Sequence, residues 1–259
     1  MKDQKVFLCF AATCFLSIGA SAFNRIDLAK VDKGIRCMGE AMGPAACSAD
    51  QQYALQTGCI NQEEYAMLVR ENLAPYCSRY NNKVTGVCAC GCFAIGTRMH
   101  VAEYASQSIA VVPIEMVVEF SNDYLIMAMK EDATLSALGF ESMAIRRTTQ
   151  GPELGSLIYI RTKGGREIGL TKNHAVLLAN GEMVEAKAVR VGFSLLSSDG
   201  KADNVVAVKK RKANGNVYNL LVDAKGNQGH LVIAEDLVVG DLAWQNSLAS
   251  ELYSVRVRQ

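Results

Sequence analysis

Cysteine placement constrains this chain more than any other feature. Nine cysteines occur among 259 residues, all of them at or before Cys92, and the 167 residues that follow contain none. The first two, Cys9 and Cys14, belong to a leading segment. Lys2 and Lys5 precede a mostly apolar run at residues 6–18, and Ala20-Ser21-Ala22 supplies small residues in the A-x-A arrangement that signal peptidase accepts. Residues 1–22 therefore read as a secretory signal cut after Ala22. The apolar run falls short of the ~20 residues a spanning helix needs, and every later apolar run is broken sooner by charges or glycine. The mature chain is expected to be secreted or periplasmic, with no integral membrane span after signal removal.

Seven cysteines remain: Cys37, Cys47, Cys59, Cys77, Cys88, Cys90 and Cys92. The 69 residues from 23 to 91 are too few for a robust core without staples, so an oxidising compartment favours disulfides in this front module. Seven is odd, and one thiol is left over. If the first six pair, the leftover is Cys92; six cysteines allow 15 pairings, and sequence does not choose among them. Metal binding by the run Cys88-x-Cys90-x-Cys92 is disfavoured, because one-residue gaps are tighter than the usual zinc spacing; no metal or cofactor is expected. The module reads as helical, with Asn61 and Glu64 shaped as a capping box before residues 64–72 and a break at residues 41–46.

From Cys92 onward the texture changes to short β-branched runs. Residues 157–161, 167–171, 175–178, 205–209, 217–222 and 231–234 read as strands separated by Gly164-Gly165, Asn180-Gly181, Asp199-Gly200 and Asn214-Gly215, pairs that tolerate the positive φ of hairpin turns. Residues 108–120 are read as strand. The result is a hairpin-rich, all-β domain over residues 92–241, followed by a tail at 242–259. Lys+Arg 27 against Asp+Glu 26 gives a net charge of +1, which offers no global field to attract nucleic acid. The basic run at residues 209–212 precedes an Asn-Gly turn and reads as a solvated hairpin tip. His100 reads as an ordinary strand residue.

Three strings carry chemistry: "GCFAIGTRM" at the start of the β domain, then "LTKNHAVLLANG", then "VYNLLVDAKGNQGHLVIAEDLVVGD". In this order they resemble the first, middle and last blocks of the Hint domain shared by inteins and the autoprocessing half of hedgehog proteins. The resemblance covers residues 92–241 and not the front module. It implies a pseudo-two-fold horseshoe of β-hairpins and self-cleavage at the Gly91–Cys92 bond. Cys92 matches the residue whose side chain attacks the preceding carbonyl, converting amide to thioester by an N-to-S acyl shift. His174 matches the middle-block histidine, which passes a proton to the scissile nitrogen. Thr171 matches the threonine that hydrogen-bonds at the junction, and His230 matches more loosely a histidine that assists later steps. Gly91, lacking a Cβ, admits close-packed geometry beside the thiol.

Departures from the family pattern narrow the outcome. Inteins end in His-Asn followed by Cys, Ser or Thr; here Gly240-Asp241 is followed by Leu242. An aspartate has no amide nitrogen for succinimide closure and leucine accepts no acyl group, so splicing is not expected. The stretch where hedgehog-type domains carry an activating aspartate reads "AIRRTTQG", with Arg146 and Arg147 and no acid, which speaks against sterol transfer. The expected product is a single-turnover cleavage in which water, or a small thiol, amine or alcohol, resolves the thioester and releases the front module, whose binding partner is open. The alternative is a secreted disulfide-rich binding module carrying an inactive Hint-like scaffold.

Overall fold

The computed structural model describes residues 44–250 apart from positions 72, 79, 90 and 154. The expected signal segment, Cys37 and Cys90 lie outside the described residues. The front module begins with two helices, α1 (Pro44–Gln56) and α2 (Gln62–Glu71), followed by an antiparallel hairpin of β1 (Leu73–Cys77) and β2 (Val84–Ala89). The capping box forms: the Glu64 N–H donates to Asn61 Oδ1 at 2.9 Å and the Asn61 N–H to Glu64 Oε2 at 2.8 Å. The break at residues 41–46 is shorter than expected, because α1 already starts at Pro44. A proline costs no hydrogen bond there, since first-turn N–H groups have no helical partner.

Ala54, Ile60, Leu68 and Leu73 make a small core of their own. It is stapled by a Cys59–Cys77 disulfide that ties the turn after α1 to the end of β1. Cys47 is disulfide-bonded as well. The helical reading of this module thus holds for residues 44–71, and a hairpin follows at residues 73–89.

The β domain opens with β3 (Phe93–Ala94), β4 (Arg98–Glu103), β5 (Ile109–Pro113), a short helix α3 (Ile114–Glu119), β6 (Tyr124–Met129) and β7 (Phe140–Pro152). It continues with β8 (Ser156–Thr162), β9 (Glu167–Leu170), β10 (Ala175–Leu177), β11 (Met183–Glu185), β12 (Ser194–Leu196) and β13 (Ala202–Lys212). It closes with β14 (Asn216–Val222), β15 (Leu231–Ala234), β16 (Leu237–Gly240) and a final helix α4 (Leu242–Ser250). The strands from β3 to β16 join in one sheet, in the order β11-β10-β16-β15-β4-β6-β7-β14-β3-β9-β8-β13-β12, with β5 paired to β4.

The six strands expected from sequence coincide with β8, β9, β10, β13, β14 and β15. Each of the four expected turns carries its glycine at positive φ, from 81° at Gly200 to 105° at Gly215. The stretch 108–120 divides: β5 runs to Pro113, and beyond it Ile114, Val117 and Val118 bury one face at helical spacing. Strand β7 ties the halves of the sheet, pairing through residues 140–144 with β6 and through residues 145–152 with β14. The main core includes Phe93, Met99, Ile126, Ile160, Leu170 and Leu220. Among the described residues no helix is long and apolar enough to cross a membrane.

Candidate functional site

The last residue of the front module and the first of the β domain are Gly91 and Cys92. Cys92 is the free cysteine among the described residues, and it is fully buried. Its side chain packs with Ala94, Leu157 and Val217. Burial pushes the thiol well above its ordinary pKa, and the charge of Glu153 adds to the rise.

Thr171 reaches the junction because β9 pairs with β3 through Leu170 and Phe93. One residue on, the Thr171 N–H donates to the Cys92 carbonyl at 3.0 Å. Its Oγ1 in turn accepts the Cys92 N–H at 2.8 Å, so the nitrogen of the Gly91–Cys92 bond is held by a threonine hydroxyl. The chain then turns, with the His174 N–H donating to the Thr171 carbonyl at 3.2 Å. A three-residue spacing between threonine and histidine is what such a turn requires to keep both beside β3.

His174 lies against Phe93 with ring centroids 4.2 Å apart and planes tilted by 60°. The ring is fully buried and neither nitrogen makes a hydrogen bond. Burial lowers its pKa to about 3; the Gly240 carbonyl and the Gln245 side chain pull the other way and do not prevail. The imidazole is therefore neutral around pH 7, and the proton donor expected from its ordinary pKa is not charged in this state. It bonds neither the thiol nor the scissile nitrogen.

Two junction residues were not selected from sequence. Asn219, buried on β14, donates from Nδ2 to the Gly91 carbonyl at 2.9 Å. Its amide orientation is fixed, since Oδ1 accepts the Leu220 N–H at 2.8 Å and leaves the nitrogen for the carbonyl. The only sequence signal is a lone carboxamide inside the apolar string "VYNLLV". The second is Gln245 on α4, fully buried, with Oε1 3.3 Å from Asn219 Nδ2. A Cβ built on Gly91 would run into the Gln245 amide, the far end of a flexible side chain, which would have to move aside.

His230 sits apart from this group. Its Nδ1 bonds Asp241 Oδ2 at 2.8 Å. Burial opposes its charged form, but the bond and charge of Asp241, helped by Glu131 and opposed by Arg146, leave its pKa raised. Asp241 also accepts the Val222 N–H at 2.9 Å and the Ala243 N–H at 2.8 Å, so it serves as the N-cap of α4. His100 pairs with Asp236 at 2.6 Å, away from the junction.

No family model and no curated relative matches the sequence. Among solved structures, the DnaB intein from Synechocystis sp. PCC 6803 aligns with 58% of this chain and 98% of its own, at 19% identity and a TM-score of 0.44. The chain is similar to inteins. A bacterial intein-like domain from Clostridium thermocellum aligns with 58% of this chain and 97% of its own, at 22% identity and a TM-score of 0.46. An intein from a hyperthermophile gives 19% identity and a TM-score of 0.49, over 58% and 99%. Thr171 and Asn219 meet the Gly91–Cys92 bond, and His174 packs on the neighbouring Phe93.

Proposed function

We propose that the chain cleaves itself at Gly91–Cys92. One observation carries the reading: both polar atoms of that peptide bond are gripped by side chains from distant strands, Thr171 Oγ1 on the nitrogen side and Asn219 Nδ2 on the carbonyl. Beside them is the described cysteine that is not in a disulfide.

The reaction follows from these atoms. Cys92 Sγ attacks the Gly91 carbonyl carbon, and the oxygen that gains charge is met by the Asn219 amide. The C–N bond then breaks, the thiol proton ends on the departing nitrogen, and the products are a thioester on Cys92 and its free α-amine. Reactant and product are both neutral, so burial penalises only the charged intermediate between them. The Thr171 hydroxyl, which accepts the Cys92 N–H, holds the departing nitrogen in place while the thiol proton reaches it. Water, or a small thiol, amine or alcohol, then attacks the thioester carbonyl, restores the Cys92 thiol and frees the front module with Gly91 at its C-terminus.

The signal-like lead segment at residues 1–22, with its lysines, apolar run and A-x-A site, and the disulfides of the front module support an extracytoplasmic site for this event. A second reading, a binding module with an inactive scaffold, is favoured by the raised thiol pKa and by the lack of a base bonded to the sulfur.

Intact mass of the folded chain, with and without hydroxylamine, decides between them. Cleavage between Gly91 and Cys92, accelerated by the nucleophile and abolished in Cys92→Ala, is the expected result. Asn219→Ala should slow it by roughly 10²–10³, the usual loss for one oxyanion donor. A wild-type chain that stays full length under both conditions defeats the proposal.

A further inference from the structure

Helix α4 follows the last strand of the β domain, yet it supplies a buried side chain to the junction. The Gln245 carboxamide meets two of its members. Its Oε1 faces Asn219 Nδ2 at 3.3 Å, the amide that also donates to the Gly91 carbonyl at 2.9 Å. It occupies the space into which a Cβ on Gly91 would project.

The helix is anchored at several points. The Asp241 carboxylate caps it through the Ala243 N–H, and the Gln245 N–H donates to the Asp241 carbonyl at 3.2 Å. Trp244 Nε1 donates to the Asn227 carbonyl at 2.7 Å, and Trp244 and Leu248 join a second apolar core with Met129, Leu177 and Leu231. A carboxamide carried into such surroundings is costly unless its polar atoms are used. An asparagine NH₂ has two protons, and here one acceptor is available for each.

We infer that Gln245 is a positioning residue for cleavage at Gly91–Cys92: its oxygen takes one N–H of Asn219 so that the other points at the scissile carbonyl, and its bulk fills the space that a side chain at position 91 would need. The inference rests on the self-cleavage reading and extends it to a residue beyond the last strand. A methyl group at position 91 would meet the far end of the Gln245 side chain rather than backbone. It would therefore displace the amide, and the displaced amide would release Asn219.

The test separates the polar role from the steric one, using the full chain and hydroxylamine-trapped cleavage followed by mass. Gln245→Leu keeps volume and removes the acceptor; it should slow cleavage by roughly tenfold, the worth of one hydrogen bond. Gly91→Ala should be slow beside native Gln245, and should add little further loss in a Gln245→Ala background, where there is no amide left to displace. A side chain that merely supports the fold would leave the two losses additive. Thermal melts of all variants establish that each is folded, and the Leu variant covers the case in which the Ala cavity unfolds the helix. Wild-type cleavage that is unchanged by Gln245→Leu, or a Gly91→Ala defect that is the same in both backgrounds, overturns the inference alone. Absence of Cys92-dependent cleavage in wild type overturns the self-cleavage reading and this inference with it.

Discussion

Two buried histidines bias the stability of this protein in opposite directions with pH. His174 is held neutral, with its pKa near 3 in the folded state against about 6.5 in an unfolded chain. Between those values the unfolded chain binds a proton that the folded chain refuses, so stability falls as pH drops from about 6.5 toward 3. Between pH 7 and pH 5 the loss should be about 2 kcal/mol. His230 is the reverse case: its pKa is raised by Asp241, so its contribution is complete below the ordinary histidine value and fades as pH climbs through its folded value. Denaturant titrations in the uncleavable Cys92→Ala background measure both effects. His174→Leu should flatten the acid limb, and His230→Gln should cost more at pH 6 than at pH 8. An acid limb that survives His174→Leu unchanged would mean that other groups govern it.

At the scale of elements, Asp241 carries more than its place in sequence suggests. One carboxylate caps α4, accepts the Val222 N–H of β14 and bonds His230. Asp241→Ala should therefore exceed the ~1 kcal/mol typical of a lost N-cap, because a buried backbone N–H and a buried imidazole lose their partner as well. A shift of about 2–4 kcal/mol in chemical denaturation is expected, with Asp241→Asn recovering part of it. The strands and turns around this helix were legible in sequence because β-branched runs and Asn-Gly, Asp-Gly and Gly-Gly pairs are local signals. Thr171 and His174 were selected through the resemblance of "LTKNHAVLLANG" to a Hint block, and the turn after β9 carries both. Helix α4 was not legible. Its described side chains Leu242, Ala243, Trp244, Gln245 and Leu248 are buried, and a glutamine on that buried side interrupts the apolar period, so the stretch reads as an undistinguished tail. Asn219 was hidden for another reason: its partner Gly91 lies 128 residues away in the chain. Pairing over that distance is a property of the sheet, and no local pattern announces it.

At the scale of the molecule, the two modules differ in what keeps them folded. The front module has a core of a few side chains and a disulfide closing 18 residues, while the β domain has a large apolar core and, among the described residues, one cysteine, which is free. The modules meet through the Arg70 carbonyl at the end of α2, which accepts from the Lys172 ammonium in the turn after β9. That turn also positions Thr171 and His174, so the front module is docked against the segment that grips its own C-terminal bond. A loop of that length is worth roughly 3 kcal/mol in the unfolded chain, a large share of the stability of so small a unit. Reduction should therefore loosen the front module while the β domain stays intact. Hydrogen exchange followed by mass spectrometry on Cys92→Ala, with and without a thiol-free phosphine reductant, makes the comparison. Peptides within residues 44–89 should lose protection on reduction, and those within residues 93–240 should keep it. If both regions exchange together, the disulfide stabilises a single cooperative unit. If only the front exchanges, the staple has a reason that follows from cleavage: a module released at Gly91 no longer has the sheet to lean on, and must hold its fold with its own cross-links.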